Sequence, residues 1–169
     1  IAGSVTATYW LLMLVGRLIG ASIGSKISAK AMLGTASVIG IFLVISAMFA
    51  PTDLMVNMPV FKNSAEEMFG LVNVPVNAMF LALVGLCTSI MWGGIFNLAV
   101  EGLGKYTEKA SGIFMALVCG GGILPLIQGL VADHAGYMMS FWVVFAGVLY
   151  ILYCALAGHR NVNTDIKVD

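Results

Sequence analysis

Charges in this chain sit in short clusters with long apolar runs between them, and that spacing constrains the fold more than any motif. No Asp, Glu, Lys or Arg occurs between Lys30 and Asp53, between Glu67 and Glu101, between Lys109 and Asp133, or between His134 and His159. The first segment, Ile1 to Ser25, carries a single charge, Arg17. Each gap holds at least 22 residues, and a helix needs about 20 to cross the hydrocarbon at roughly 1.5 Å per residue. The runs lack the alternation of barrel strands. They predict an all-α polytopic membrane protein with five spans, near 3–25, 32–50, 76–100, 110–132 and 138–157. Composition agrees: 9% of residues are charged, against about 25% in a soluble domain, and the mean hydropathy is +1.01. A net charge of zero argues against nucleic acid, whose binders need a basic stripe.

Basic residues set the orientation. Lys26 and Lys30 follow the first span, Lys105 and Lys109 the third, and Arg160 and Lys167 the fifth, so these connections share one side. The opposite side holds the 51–75 loop, where Lys62 faces Asp53, Glu66 and Glu67, and the Asp133–Tyr137 turn. The positive-inside rule then predicts a cytoplasmic C-terminus and an external residue 1. The 51–75 loop, with Pro51, Pro59 and Pro75, reads as irregular external structure. An odd span count and a start inside an apolar run suggest a partial bundle over 1–160, lacking the N-terminal half of the protein. Residues 161–169 read as a polar cytoplasmic tail.

Catalysis finds no support. Gly20-Ala21-Ser22-Ile23-Gly24 matches Gly-x-Ser-x-Gly, but that pattern requires a strained strand-to-helix turn, and here it lies inside an apolar helix. The only histidines, His134 and His159, fall on opposite surfaces. Gly16, Gly20 and Gly24 instead form overlapping Gly-x-x-x-Gly steps that let a second helix approach closely. No histidine, cysteine or carboxylate spacing fits a metal, no cofactor is implied, and Cys87, Cys119 and Cys154 read as small apolar residues. Arg17 lies about eight residues from the basic loop, within snorkelling reach of the cytoplasmic surface.

Two helices carry polar faces. On the third span Gly85, Thr88, Ser89, Trp92 and Phe96 share one arc, and Leu83, Cys87, Ile90, Gly94 and Leu98 form an opposite side able to face lipid. An aromatic beside hydroxyls suits a sugar, whose C–H face stacks while its hydroxyls hydrogen-bond; the same residues equally suit helix packing. On the fourth span Gln128 shares an arc with Phe114, Gly121 and Pro125. Gly120-Gly121-Gly122 with Pro125 weakens the helical ladder at mid-membrane, a defect tolerated where neighbours or a watery cavity satisfy the backbone. The second and fifth spans hold few polar side chains and read as peripheral.

Several runs resemble the major facilitator superfamily, and more narrowly its fucose–proton symporter family, which includes glucose/galactose permeases. Gly16-Arg17-Leu18-Ile19-Gly20 followed by Lys26 and Lys30 is similar to that superfamily's span 8–9 junction. Ser89-Ile90-Met91-Trp92-Gly93-Gly94-Ile95-Phe96, then Gly102-Leu103-Gly104-Lys105-Tyr106-Thr107, Ala110-Ser111-Gly112-Ile113-Phe114 and Gly120-Gly121-Gly122-Ile123, is similar to spans 10 and 11. The resemblance covers about residues 3–160 and implies spans 8 to 12 of twelve. It implies hexose symport with a proton or sodium ion across the bacterial inner membrane by alternating access. The proton carriers would then lie in the absent half. Trp92 would be the stacking platform, Thr88, Ser89 and Gln128 the hydrogen-bonding wall, with Asn97 one face away. Gly16, Arg17, Gly20 and Gly24, with Gly120, Gly121, Gly122 and Pro125, would serve packing and gating. Two departures stand out: no acidic residue follows Gly20 as in the superfamily's loop signature, and Trp92-Gly93 stands where the fucose transporter has Tyr-Pro. A rival reading is a non-transporting membrane subunit whose polar faces bind partner helices.

Overall fold

The computed structural model describes residues 2–61 and 69–158. It shows an all-α polytopic membrane protein with one small hairpin. Among the described residues, four helical segments are long and apolar enough to cross a bilayer. They are α1 (Ala2–Gly24), α2 (Ala29–Phe49), α3 (Val76–Val100) and α6 (Tyr137–Tyr153), the last prolonged by a π turn over Cys154–Gly158. Local chemistry sets their ends. Ser28 caps α2 by accepting from the Ala31 N–H at 3.3 Å, which satisfies one of the four orphan donors of a helix start. Pro75 precedes α3, where it removes no helical hydrogen bond. Several hydroxyls inside the helices turn back on their own helix, as Ser37 does on the Leu33 carbonyl at 2.7 Å, which gives the donor a partner where water is scarce.

The segment expected as the fourth of five spans is not one long helix, and neither of its pieces is span-length. It comprises α4 (Thr107–Leu117), a 3₁₀ segment over Val118–Gly122, and α5 (Ile123–Ala135). The interruption coincides with Gly120, Gly121 and Gly122, where glycine weakens the helix, and Pro125 adds a missing donor one turn on. Gly136, at φ +91°, then turns the chain into α6, in a region open to glycine but costly for other residues.

The 51–75 segment corrects the expectation of an irregular loop. Its strands β1 (Met55–Phe61) and β2 (Phe69–Pro75) pair antiparallel, with Met58 opposite Val72 and Asn57 opposite Asn73. The inward face, Met58, Val60 and Val74, is buried with Ala82 of α3, and Val5 of α1 packs beside it. The hairpin is thereby fastened to the α1–α3 pair.

Helix α3 is the axis of the bundle, in contact with both α1 and α2, while α6 packs on α2 and α5. The side of α3 expected to face lipid instead packs on α2: Cys87 and Met91 are buried with Leu33 and Ala36, and a Cβ added to Gly94 would lie 3.1 Å from that of Leu33. The outer faces of α2 and α6, where Phe42, Phe49, Tyr150 and Leu156 are exposed, are apolar enough to meet lipid. Glu101 and Lys105, i,i+4 in sequence, do not share a helix, because α3 ends at Val100. Residues 159–169 and Lys62, Glu66 and Glu67 lie outside the described residues.

Candidate functional site

The polar face of α3 meets two elements, α1 and α4, and the contacts separate residues that sequence alone groups together. Against α1 the approach is close. A Cβ on Gly16 would sit 2.7 Å from the Leu86 carbonyl oxygen, and one on Gly85 would sit 2.7 Å from the Tyr9 ring. Between them the Ser89 hydroxyl donates to the Met13 carbonyl at 2.6 Å. Ser89 is 5% exposed. It was expected on a sugar-facing wall; its donor is engaged in helix packing instead. Gly20 and Gly24 differ from Gly16: added Cβ atoms would make only ordinary contacts, at 3.6 and 3.9 Å. Both line a cleft, so they leave space rather than close it.

Against α4 the contact is aromatic. Trp92 and Phe114 lie 5.7 Å apart between ring centroids, and Phe96 and Phe114 5.5 Å apart edge to face. The polar arcs of the third and fourth spans therefore face one another. Trp92 keeps 40% of its surface exposed, leaving part of its indole open for stacking. Such contacts add about 0.5–1.5 kcal/mol beyond their buried area.

Two clefts open beside this face. One of about 440 Å³, at the hairpin end, brings Thr88 of α3 together with Gln128 of α5, and with Thr6 and Tyr9 of α1. A second of about 430 Å³, nearer the Lys26 and Lys30 end, brings together Trp92, Asn97, Ser89 and Arg17. Both volumes lie within the ~300–1,000 Å³ usual for small-molecule sites. Thr88 donates to the Gly85 carbonyl at 3.0 Å within its own helix, and its oxygen keeps acceptor capacity. Gln128 and Trp92, expected to share a site, line different clefts. Gly121 and Gly122 have no atom within 4 Å of an added Cβ, so their place is explained by the helix break rather than by close packing.

Thr6 and Tyr9 escaped the sequence reading. The signal was present: Thr6, Tyr9, Met13, Gly16, Gly20 and Gly24 recur at helical spacing, so the glycine stripe extends upstream to both. Among the described residues no three His, Cys, Asp or Glu side chains cluster as metal ligands.

Two bacterial proteins named as sugar transporters are similar to parts of this chain. A glucose/galactose transporter of Brucella abortus (biovar 1, strain 9-941) is 41% identical over 78 residues, 46% of this chain and 19% of that protein. A Helicobacter pylori (strain J99) protein, provisionally assigned by name as a glucose/galactose transporter, is 29% identical over 158 residues, 90% of this chain and 33% of its own length. The chain thus matches a third or less of the length of these relatives. Their names are those of transporters, not enzymes. No family model and no solved structure matches the chain.

Proposed function

We propose that this chain is a C-terminal part of a hexose transporter of the fucose–proton symporter family, within the major facilitator superfamily. It would contribute five spans to the bacterial inner membrane and move glucose, galactose or fucose by alternating access, coupled to a proton or sodium ion. The carrying observation is that the aromatic and polar arcs of the third and fourth spans face one another beside clefts of ligand size. The names of the relatives support the substrate class.

In this reading Trp92 stacks on the pyranose face, and Thr88, Gln128 and Asn97 hydrogen-bond its hydroxyls. Ser89 belongs to the α1–α3 contact. The coupling carboxylates are assigned to the rest of the polypeptide, because among the described residues no acidic side chain lines either cleft. The Lys26, Lys30, Lys105 and Lys109 connections face the cytoplasm, and the hairpin faces outward. The broken fourth span gives the bundle a bending point beside the ligand.

The test is uptake of labelled D-galactose by cells carrying the complete protein, with and without an inward proton gradient. Gradient-stimulated, saturable uptake that falls several-fold in Trp92→Ala is expected. Uptake no higher than in cells lacking the protein would refute transport and leave the partner-helix reading.

A further inference from the structure

A further groove opens between α1 and α2, at the end of the bundle where Lys26 and Lys30 join them. Both helices pack along α3, yet they make little contact with one another. Apolar stripes at helical spacing wall the gap, with Ile19, Ile23 and Ile27 on one side and Met32 and Ile39 on the other, and Ile90 of α3 lies at its floor. Its volume is about 210 Å³. One turn of helix, ~10–12 Å across and ~5.4 Å tall, fills roughly 500 Å³, so the groove is too narrow to seat a helix and suits a single hydrocarbon chain. Thr35 brings a hydroxyl to the wall, but that hydroxyl donates to the Ala31 and Met32 carbonyls at 2.9 and 3.1 Å. Its donor is therefore turned away from any occupant, and the lining favours an apolar one.

Charge gathers at the rim of this groove. Lys26 and Lys30, both exposed, bracket Ile27 in the chain. The Ile27 N–H donates to the Ile23 carbonyl at 3.1 Å, which keeps Ile27, and the lysine before it, on the end of α1. The first acidic residue of the chain is Asp53, beyond the far end of α2. No carboxylate on α1, α2 or their connection balances the two lysines. An apolar slot under a basic rim is complementary to a lipid with a negative headgroup.

We propose that this groove seats one acyl chain of an anionic phospholipid, with its phosphate held by Lys26 and Lys30. The slot recognises the chain whatever its headgroup, and the lysines select the charge. Gly20, Met32 and Ile90 line both this groove and the cleft that holds Trp92, so the lipid backs onto that wall. The site needs only a chain embedded in a membrane and does not depend on what is transported.

The experiment titrates phosphatidylglycerol, and phosphatidylcholine as the net-neutral probe, into the complete protein in non-ionic detergent. Native mass spectrometry gives the dissociation constant of the first lipid bound. A lysine near an anionic headgroup contributes about fivefold, so Lys26→Gln with Lys30→Gln is expected to weaken phosphatidylglycerol roughly 25-fold and phosphatidylcholine less than about threefold. Thr35→Phe, which fills the slot, is expected to weaken both lipids about tenfold or more. Ile23→Ala with Ile39→Ala carries the same prediction should Thr35→Phe fail to fold. Lys105→Gln with Lys109→Gln removes two charges away from the groove and is expected to change neither constant more than about threefold. Equal loss in the two lysine pairs would show diffuse attraction and overturn the site. So would a wild-type protein that binds neither lipid or does not distinguish them, or slot variants that bind both lipids unchanged, which would leave the groove to side chains of a neighbouring helix.

Discussion

Replacing Gly16 with alanine tests the α1–α3 crossing at its tightest point. The new Cβ would lie 2.7 Å from the Leu86 carbonyl oxygen, 3.1 Å from the Ser89 Cβ and 3.2 Å from the Leu86 Cα, where ordinary contact begins at 3.4 Å. Two of those three atoms are helix backbone and cannot swing aside. Relief requires α1 to retreat by roughly 0.7 Å, which stretches the 2.6 Å Ser89–Met13 hydrogen bond beyond the usual ~3.0 Å limit for O–H···O. Overpacking of this kind costs about 1–3 kcal/mol, to which a weakened interhelical bond adds about 0.6 kcal/mol at most sites. The ratio of folded to unfolded protein should therefore fall by about 5- to 150-fold from the packing term alone. Gly20→Ala is the matched control: its Cβ would meet Ile90 at an ordinary 3.6 Å, and alanine favours the helix by up to about 1 kcal/mol. Reversible unfolding of the complete protein in mixed detergent micelles measures both. Equal stability of the two variants, or greater loss in Gly20→Ala, would refute the reasoning.

Other predictions address separate parts of the molecule. Asn57 and Asn73 are exposed and directly opposite in the hairpin, so Asn57→Cys with Asn73→Cys should crosslink under mild oxidation, read by a gel shift on proteolysis between them, whereas Asn57→Cys with Leu71→Cys should not. A membrane-impermeant maleimide added to intact cells should label the single Asn57→Cys variant and spare Lys26→Cys; the reverse pattern would invert the proposed orientation. Alanine at both Gly121 and Gly122 meets no neighbour and should leave stability equal or raised by about 1–2 kcal/mol. Uptake should nonetheless drop several-fold if the helix break is a working hinge, and unaltered uptake would show that it is not. Ser89→Ala should cost about 0.6 kcal/mol, up to roughly 1.7, with hexose half-saturation unchanged, since its donor serves Met13.

What was legible in the sequence was whatever lipid enforces. A charge cannot rest in hydrocarbon, so the uncharged runs mark the membrane segments, and a triple glycine before Pro125 marks where the fourth loses its α-helical hydrogen bonds. That Trp92 and Phe96 share a face follows from helical periodicity; that this face meets Phe114 does not. Lipid also conceals. A helix neighbour and an acyl chain are equally apolar, so nothing in the polarity of Cys87 and Met91 revealed that they pack on α2. Only the small residues Gly40 and Gly94 hinted at it. In the 51–75 segment the prolines masked the alternation of Val56, Met58 and Val60 with Val72 and Val74. In a two-stranded sheet both strands are edges, where a missing N–H costs little, and Pro59 sits on the exposed face. Thr88 and Ser89, adjacent hydroxyls of similar chemistry, diverge only because one lies under the α1 crossing.

The most direct test of the central claim, that α3 presents one wall of a hexose site, is equilibrium binding of labelled D-galactose to the purified complete protein, wild type beside Trp92→Ala. Loss of a stacking platform worth about 0.5–1.5 kcal/mol plus its buried area should weaken binding about tenfold or more, in a variant whose size-exclusion profile matches wild type. Saturable galactose binding that is unchanged by Trp92→Ala would contradict the claim.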